Sequence, residues 1–498
     1  MTARGAVVAI DQGTSSSKGV AVAENGTVLA RARADLGQRT PRPGWVEQDP
    51  EAILDGVRQV LAEVSAQAGV AIAAVGLSTQ RESAMAWDTT TGAPLSAVIG
   101  WQDRRTAEAA VRLGEDAERL VRGRSGLPLD PMFSALKFAW ILDDIDPDRT
   151  QARAGRVTLG TVDAWLAFRL AGVRRIERGN ASRTQLADVR SGEWSDELLE
   201  LFDVPRAALP DIVASDAPGA TIPADGAATL PLAGVLGDSH AALFGHGCRA
   251  PGAVKATYGT GSSVMGLSDA AISGVAETIA WDIRGSIAHA FEGNILATGA
   301  AVVWLAELLG LRPEELADLA RDADDGAVDL VPAFAGLAAP WWDPGAVGTI
   351  SGLTLGTTRA QLARAALESV ALQIEDVLSA VEAAGAARIS KIHVDGGPSD
   401  NDWLMQRQAE LSGRTVVRPA DSARSVLGAA WLAGAARGVW DYDTAPWQES
   451  ATEFGPQDDD GRRAARRRRW HDAVARARLR PGASAPSAST QTERTIER

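Results

Sequence analysis

Twice in this chain an apolar strand candidate runs straight into a short turn of glycine and hydroxyl residues. Val7 to Asp11 meets Gly13-Thr14-Ser15-Ser16-Ser17, and Ala253 to Tyr258 meets Gly259-Thr260-Gly261-Ser262-Ser263. Such turns direct several backbone N–H groups into one concavity, which suits phosphate oxygens. Thr14, Ser15, Ser16 and Ser17 add hydroxyl donors and Lys18 adds a charge. Either turn alone also reads as an ordinary hairpin corner. Their recurrence in similar surroundings is what narrows the fold. After the first turn, Lys18–Ala23 reads as a strand, Asn25-Gly26 as a type I′ hairpin turn, and Thr27–Ala34 as a third strand. Asp49-Pro50-Glu51 supplies an N-cap, a first-turn proline and an acidic first turn for a helix carrying Ile53, Leu54, Val57, Val60, Leu61 and Val64 at helical spacing. Ala71–Leu77 is the next strand and ends in Ser78-Thr79-Gln80-Arg81-Glu82. The same order recurs after the second turn: strands at Thr278–Ile283 and Ser286–Phe291, a helix over Leu362–Val381, and a strand from Lys391 to Val394 ending in Asp395-Gly396-Gly397. This predicts two α/β halves related by an old duplication, with a boundary near residues 245–250.

Composition removes whole classes of function. Acids outnumber bases 64 to 50, for a formal charge of −14, which argues against a polyanion-binding surface and thus against a nucleic-acid partner. The single cysteine, Cys248, excludes an intrachain disulfide and a cysteine zinc cluster, and none of the five histidines forms an HExxH pattern. The apolar run at the N-terminus is too short for a signal peptide, and no apolar stretch approaches about 20 residues, so neither a membrane span nor any location other than the cytoplasm is expected. There is no GxxxxGK[ST] loop and no convincing GxGxxG after a strand, which lowers the odds of a P-loop or dinucleotide site. Near the C-terminus, Asp458-Asp459-Asp460 precedes an arginine-rich stretch, Arg462 to Arg480. It is read chiefly as a solvated surface helix and secondarily as a polyanion-binding patch. Residues 481–498, rich in Ser, Ala, Thr and Pro, are expected to be an unstructured tail.

Two acids close apolar strands beside glycines: Asp11, and Asp238 after Val235-Leu236-Gly237. Either alone is more often a turn former or a helix N-cap. Taken with two phosphate turns, one acid suits a hydrated Mg²⁺ against phosphates and the other suits taking a proton from an attacking hydroxyl, which is the equipment of a phosphotransferase. Gln80-Arg81-Glu82 and Trp101-Gln102-Asp103-Arg104-Arg105 offer donors, acceptors and a flat apolar wall for a polyhydroxylated ligand. Surface ion pairs and a core tryptophan would explain them equally well.

The ordered set VVAIDQGTSSSK (7–18), PRPGWVEQDP (41–50), STQRES (78–83), GWQDRRTAE (100–108), SGLPLDPMFSALKFAWILDD (125–144), GTVDAWL (160–166), NASRT (180–184), LGDSHAALFG (236–245), TYGTGSS (257–263), EGNILATGAAVVWL (292–305), APWWDP (339–344), GTISGLTLGTTRAQLARAALESVA (348–371) and VDGGPSDN (394–401) resembles the FGGY family of carbohydrate kinases, most closely its glycerol kinase branch. The likeness runs from about Val7 to Val439. It implies an α/β fold of two actin-like (hexokinase-like ATPase) domains flanking a cleft. Residues 1–247 would carry the polyol pocket and the first phosphate loop, and residues 248–480 the nucleotide. It implies ATP and Mg²⁺, a small polyol or sugar as the other substrate, and a homo-oligomer (dimer or tetramer). Carried across, Asp11 and Asp238 would be near the metal, and Asp238 would be the general base. Thr14, Ser15, Ser16 and Lys18 would face the phosphates, with Lys18 standing where the family often has Arg. Arg81, Glu82 and Trp101 would line the polyol pocket, and Thr260, Gly299, Gly397 and Asn401 would hold the nucleotide.

Three positions depart from the glycerol kinase pattern. Met132 stands where Tyr is usual and Ser239 where Gln is usual, both in the polyol pocket, and Val303 replaces a Gln near the nucleotide. Two lost hydrogen bonds, at roughly 0.5–1.5 kcal/mol each, weaken glycerol binding by about tenfold or more and suit a pocket for a polyol of four or five carbons. The loop at 224–229 lacks the basic, glycine-rich character of a fructose 1,6-bisphosphate site, so no regulation is expected there. Two other readings compete: a kinase for a ketose such as xylulose or ribulose, and a non-catalytic ATP-dependent switch, since the actin-like fold also serves filaments and chaperones.

Overall fold

The structure, a computed structural model, describes residues 5–224, 229–270, 272–324, 326–447, 450–457 and 459–480. Part of the 224–229 loop and the expected tail at 481–498 lie outside these residues. In the N-terminal half, β1 (Ala6–Gln12), β2 (Ser16–Val22) and β3 (Val28–Asp35) form an antiparallel meander. The turn expected over 13–17 is shorter, because Ser16 and Ser17 already pair in β2. The Asn25-Gly26 corner also differs from the type I′ expectation. The Gly26 amide donates to the Ala23 carbonyl, and Gly26 alone of the pair has positive φ, so a turn over Glu24-Asn25 is followed by a left-handed glycine. Helix α1 (Pro50–Ala68) starts where the sequence places it, with the Asp49 carboxylate accepting from the Glu51 amide. It buries Ile53, Leu54, Val57, Val60 and Val64 against Val8 and Ile10 of β1. Strand β4 (Ile72–Thr79) then pairs parallel with β1, and β5 (Thr221–Pro223) and β6 (Thr229–Gly237) complete a six-stranded sheet in the order β5-β6-β4-β1-β2-β3.

The C-terminal half repeats the plan. Strands β7 (Ala253–Tyr258), β8 (Ser262–Leu267), β9 (Ala276–Ile283), β10 (Ser286–Ile295), β11 (Lys391–Asp395), β12 (Thr415–Pro419) and β13 (Ala451–Phe454) form a sheet ordered β9-β10-β8-β7-β11-β12-β13. As β1 does, β7 has an antiparallel hairpin partner on one side and a parallel strand on the other. The long helix Arg359–Ala383 covers this sheet as α1 covers the first, burying Val370, Ile374 and Val377.

Two helices join the halves. Helix α2 (Asp238–Gly245) leaves β6, and helix α3 (Arg424–Ala436) packs Val426, Leu427, Ala430 and Ala433 onto Val7, Ala9 and Ala74 of the first sheet. Their contact is made of small residues. A Cβ on Gly428 would meet the Ala241 carbonyl oxygen at 1.9 Å, so any larger residue there would force the helices apart. The arginine-rich helix, Asp460–Ala477, is the surface helix expected from its composition, but one face of it is packed. It buries Trp470, Ala473 and Val474, and Arg466 is ion-paired with Asp329 and Glu368. Arg466, Arg467 and Arg469 answer acids of its own half, which composition could not reveal.

Candidate active site

Asp238 is the first residue of α2, at the end of the buried strand β6. Its Oδ1 accepts from the Ser239 amide at 2.6 Å and from Arg81 Nε at 3.1 Å. Its Oδ2 has no hydrogen-bond partner among the described residues, and the side chain is 37% exposed. One oxygen is therefore held and the other is available, the arrangement a proton acceptor needs.

Arg81 and Glu82 follow β4 in a tight turn. Glu82 has φ +62°, and the Ser83 amide donates back to the Arg81 carbonyl at 2.7 Å. A non-glycine residue resists this conformation, so other contacts must hold it. The Glu82 carbonyl accepts from Ser134 Oγ at 3.0 Å and Lys137 Nζ at 3.2 Å. Lys137 also donates to the Met132 carbonyl at 2.6 Å, and its burial pushes the amine down to about 7. One buried lysine thus supports the backbone of both Glu82 and Met132, while the Met132 side chain packs with Leu127, Phe133 and Ala276.

Of the segment 101–105, only Trp101 turns toward the first glycine turn: its indole Nε1 donates to Thr14 Oγ1 at 3.0 Å. Asp103 and Arg105 are scaffold instead. Asp103 accepts from the Val46 amide, and Arg105 lies 3.8 Å from the Trp45 ring centre. Asp11 sits opposite Lys18 in the β1–β2 register and accepts from Ser78 Oγ at 2.7 Å. Burial first, then the like charge of Asp238, raises the Asp11 carboxyl to about 6. In the turn itself, the Gly13 amide donates to the Ser16 carbonyl, Ser15 is exposed and Ser16 is buried.

Across the molecule, the second turn packs against the start of the helix Gly299–Leu308. The Gly299 amide donates to the Gly259 carbonyl, and a Cβ at Gly299 would meet that oxygen at 2.4 Å. This close approach explains the glycine. Beside it lies a mostly apolar cavity of about 760 Å³. Thr260, Gly299, Gly397 and Asn401 all line it, together with Val303, Leu367 and Val370.

Sequence reasoning missed the charges behind the site. Glu292 of β10, fully buried, meets Arg81 Nη2 at 2.7 Å and Arg183 Nη2 at 2.7 Å, and Arg183 Nε donates to Glu82 Oε1 at 2.6 Å. His240, also buried, lies 3.5 Å from Arg81, and burial among these cations holds its ring well below the ordinary histidine range. The segments NASRT and EGNILATGAA contain Arg183 and Glu292, but nothing local in either marks a charge for burial.

Residues 6–245 match the N-terminal domain of the FGGY family of carbohydrate kinases, and residues 254–437 match its C-terminal domain. The chain belongs to this family. A glycerol kinase of Citrifermentans bemidjiense is 45% identical over 487 residues, covering 94% of this chain and 98% of the relative. Among solved structures, that of Plasmodium falciparum glycerol kinase with ADP has a TM-score of 0.91 at 26% identity, covering 96% of this chain and 99% of that one. A xylulose kinase from Rhodospirillum rubrum has a TM-score of 0.83 at 26% identity, covering 94% and 98%. This FGGY protein is an ATP-dependent sugar or polyol kinase with the actin-like two-domain ATPase fold, and the non-catalytic switch is set aside. Among the described residues, no helix is long and apolar enough to cross a membrane.

The fit to Mg²⁺ can be judged from the donors. No cluster of three or more His, Cys, Asp or Glu suited to a metal occurs among the described residues. Mg²⁺ does not require one, since it keeps several waters and takes one or two carboxylates plus substrate phosphates. Asp11 and Asp238 repel each other and meet that description.

The buried Lys137 gives this kinase a testable pH dependence. Its folded value of about 7 lies below its ordinary 10.5, so between these values the unfolded chain holds a proton the folded one has released. Stability contributed at this position therefore rises with pH across that window. Urea denaturation at pH 6.5 and 9 is expected to show a smaller pH effect in Lys137→Met than in the wild type; an equal effect in both would contradict the assignment.

Proposed function

We propose that this kinase transfers the γ-phosphoryl group of ATP to a terminal hydroxyl of glycerol or a closely related small polyol. The observation that carries the reading is the Asp238 carboxylate, held through Oδ1 by Arg81 and Ser239 with Oδ2 unbonded among the described residues. In this reading the polyol lies against Arg81, Glu82 and Trp101, and Asp238 accepts the proton of the attacking hydroxyl. The nucleotide occupies the cavity lined by Thr260, Gly299, Gly397 and Asn401, with its phosphates toward the turn that carries Thr14, Ser15, Ser16 and Lys18. Asp11 and Asp238 hold Mg²⁺, which when bound neutralises charge on the phosphate oxygens. Lys18 adds a second cation on the phosphate side. Closure of the two halves excludes water from the hydroxyl, which otherwise competes as nucleophile. A homo-oligomer, dimer or tetramer, belongs to the same reading and is checked by light scattering.

Support for a polyol over a ketose comes from the relatives: the 45% identical one is named a glycerol kinase, whereas the xylulose kinase stands at 26%. The test is a coupled ADP-release assay over glycerol, erythritol, threitol, xylitol, dihydroxyacetone and xylulose. A small polyol is expected to give the highest kcat/KM, and a clear preference for xylulose would overturn the reading. Met132 and Ser239 each remove a polar contact from the pocket, so the double variant Met132→Tyr/Ser239→Gln is expected to raise kcat/KM for glycerol by about tenfold. No change in glycerol kinetics would sink the idea that these two positions weaken glycerol binding.

A further inference from the structure

We infer that Glu292 is the positioning residue of this site, fixing Arg81 against Asp238 and Arg183 against Glu82; the inference rests on the phosphoryl-transfer reading above. Glu292 belongs to the C-terminal half, whereas the four charges it organises belong to the N-terminal half. In register it lies between Met265 of β8 and Ala276 of β9, fully buried. Its Oε1 accepts from Arg81 Nη2 at 2.7 Å and from Ser263 Oγ at 3.2 Å. Its Oε2 accepts from Arg81 Nη1 at 3.3 Å and pairs with Arg183 Nη2 at 2.7 Å.

The guanidinium of Arg81 is a rigid plane with two usable edges. Glu292 takes the edge formed by Nη1 and Nη2, and the remaining Nε is aimed at Asp238 Oδ1. Fixing one edge of a planar group fixes the other, so the position of β10 is transmitted to the proton acceptor. Arg183 does the same for Glu82: Nη2 meets Glu292 while Nε donates to Glu82. Ser263 ends the second glycine turn as the second residue of β8, so Glu292 also links that turn to the polyol side. One carboxylate is therefore common to Arg81, Arg183 and the turn.

Stability alone does not explain such a group. A buried ion network gains little over well-packed apolar residues, because desolvation offsets the attraction. Nor does the hairpin need Glu292 in order to dock. Strand β9 is held to the N-terminal half by Ser182 on Thr278 at 2.9 Å, by the Asp282 amide on Ser215 at 3.0 Å, and by Arg178 on Asp282 at 3.0 Å. With these contacts intact, removing the Glu292 charge releases the two arginines and leaves the strands in place.

The test compares the wild type with Glu292→Gln, Glu292→Asp and the double variant Glu292→Gln/Arg183→Gln. Steady-state kinetics are measured with the polyol the wild type prefers, ADP binding by calorimetry, and the folded fraction by circular dichroism. Glu292→Gln is expected to lower kcat/KM for the polyol by about 100-fold, with at least a tenfold rise in polyol KM, as befits loss of a buried charge partner. ADP affinity should stay within about twofold. Glu292→Asp, which keeps the charge and loses reach, should fall between the two, and the double variant should be less impaired than the product of Glu292→Gln and of Arg183→Gln measured alongside it. A folded Glu292→Gln enzyme with unchanged polyol KM overturns the inference. So does a loss that tracks the folded fraction and leaves both KM values alone, which is what a merely structural role would give. Should Glu292→Gln not fold, Glu292→Asp decides by the same split between polyol and ADP. A wild type without polyol-dependent ADP release strikes the kinase reading itself and is thereby distinguished from these outcomes.

Discussion

Asp238→Asn is expected to lower kcat for phosphoryl transfer by at least about 1,000-fold, near the upper part of the range for losing a general base. The amide keeps an oxygen for Arg81 Nε and the Ser239 amide, so the start of α2 is preserved. What it loses is the ability to accept a proton at the second oxygen, which is otherwise unbonded among the described residues. ADP affinity should change little, because the cavity proposed for the nucleotide is lined by residues of the other half. Steady-state assays paired with ADP calorimetry check both parts. Turnover close to that of the wild type would mean that another group takes the proton, and the proposed mechanism would fail.

Arg81→Gln is expected to reduce kcat/KM for the polyol by about 1,000-fold and to lower the melting temperature as well. The side chain is buried and meets Glu292 and Asp238 together. Truncation leaves Glu292 with Arg183 as its remaining arginine partner and removes the donor that orients Asp238. Arg81→Lys keeps the positive charge and loses the planar fork, so it should recover stability more than activity. Were Arg81→Lys to match the wild type in kcat/KM, charge alone would suffice and the fork would be irrelevant. Thermal denaturation and polyol kinetics on the same preparations separate the two effects.

Much of the frame was legible because its causes are local. The Asp49 cap, the first-turn proline and the apolar spacing of α1 act over a few residues, and the helix begins where they require. The two strand-to-glycine turns were likewise local, each lying between the paired strands that flank it. The segment 101–105 was ambiguous in the sequence, since within it Trp101 turns to Thr14 while Asp103 serves the fold by accepting from the Val46 amide. The packed face of the arginine-rich helix was hidden for a related reason. Composition counts charges without their partners, and Arg466 finds Asp329 and Glu368 far away in the chain.

Periodicity, caps and turn chemistry, all interactions between near neighbours, determined from sequence alone that two α/β halves would each carry a strand running into a glycine corner. Only the tertiary structure decided which charges meet. Arg81 and Glu292 are separated by 211 positions and joined at 2.7 Å. A carboxylate's environment, and so its chemistry, depends on burial and on partners that only chain folding brings together.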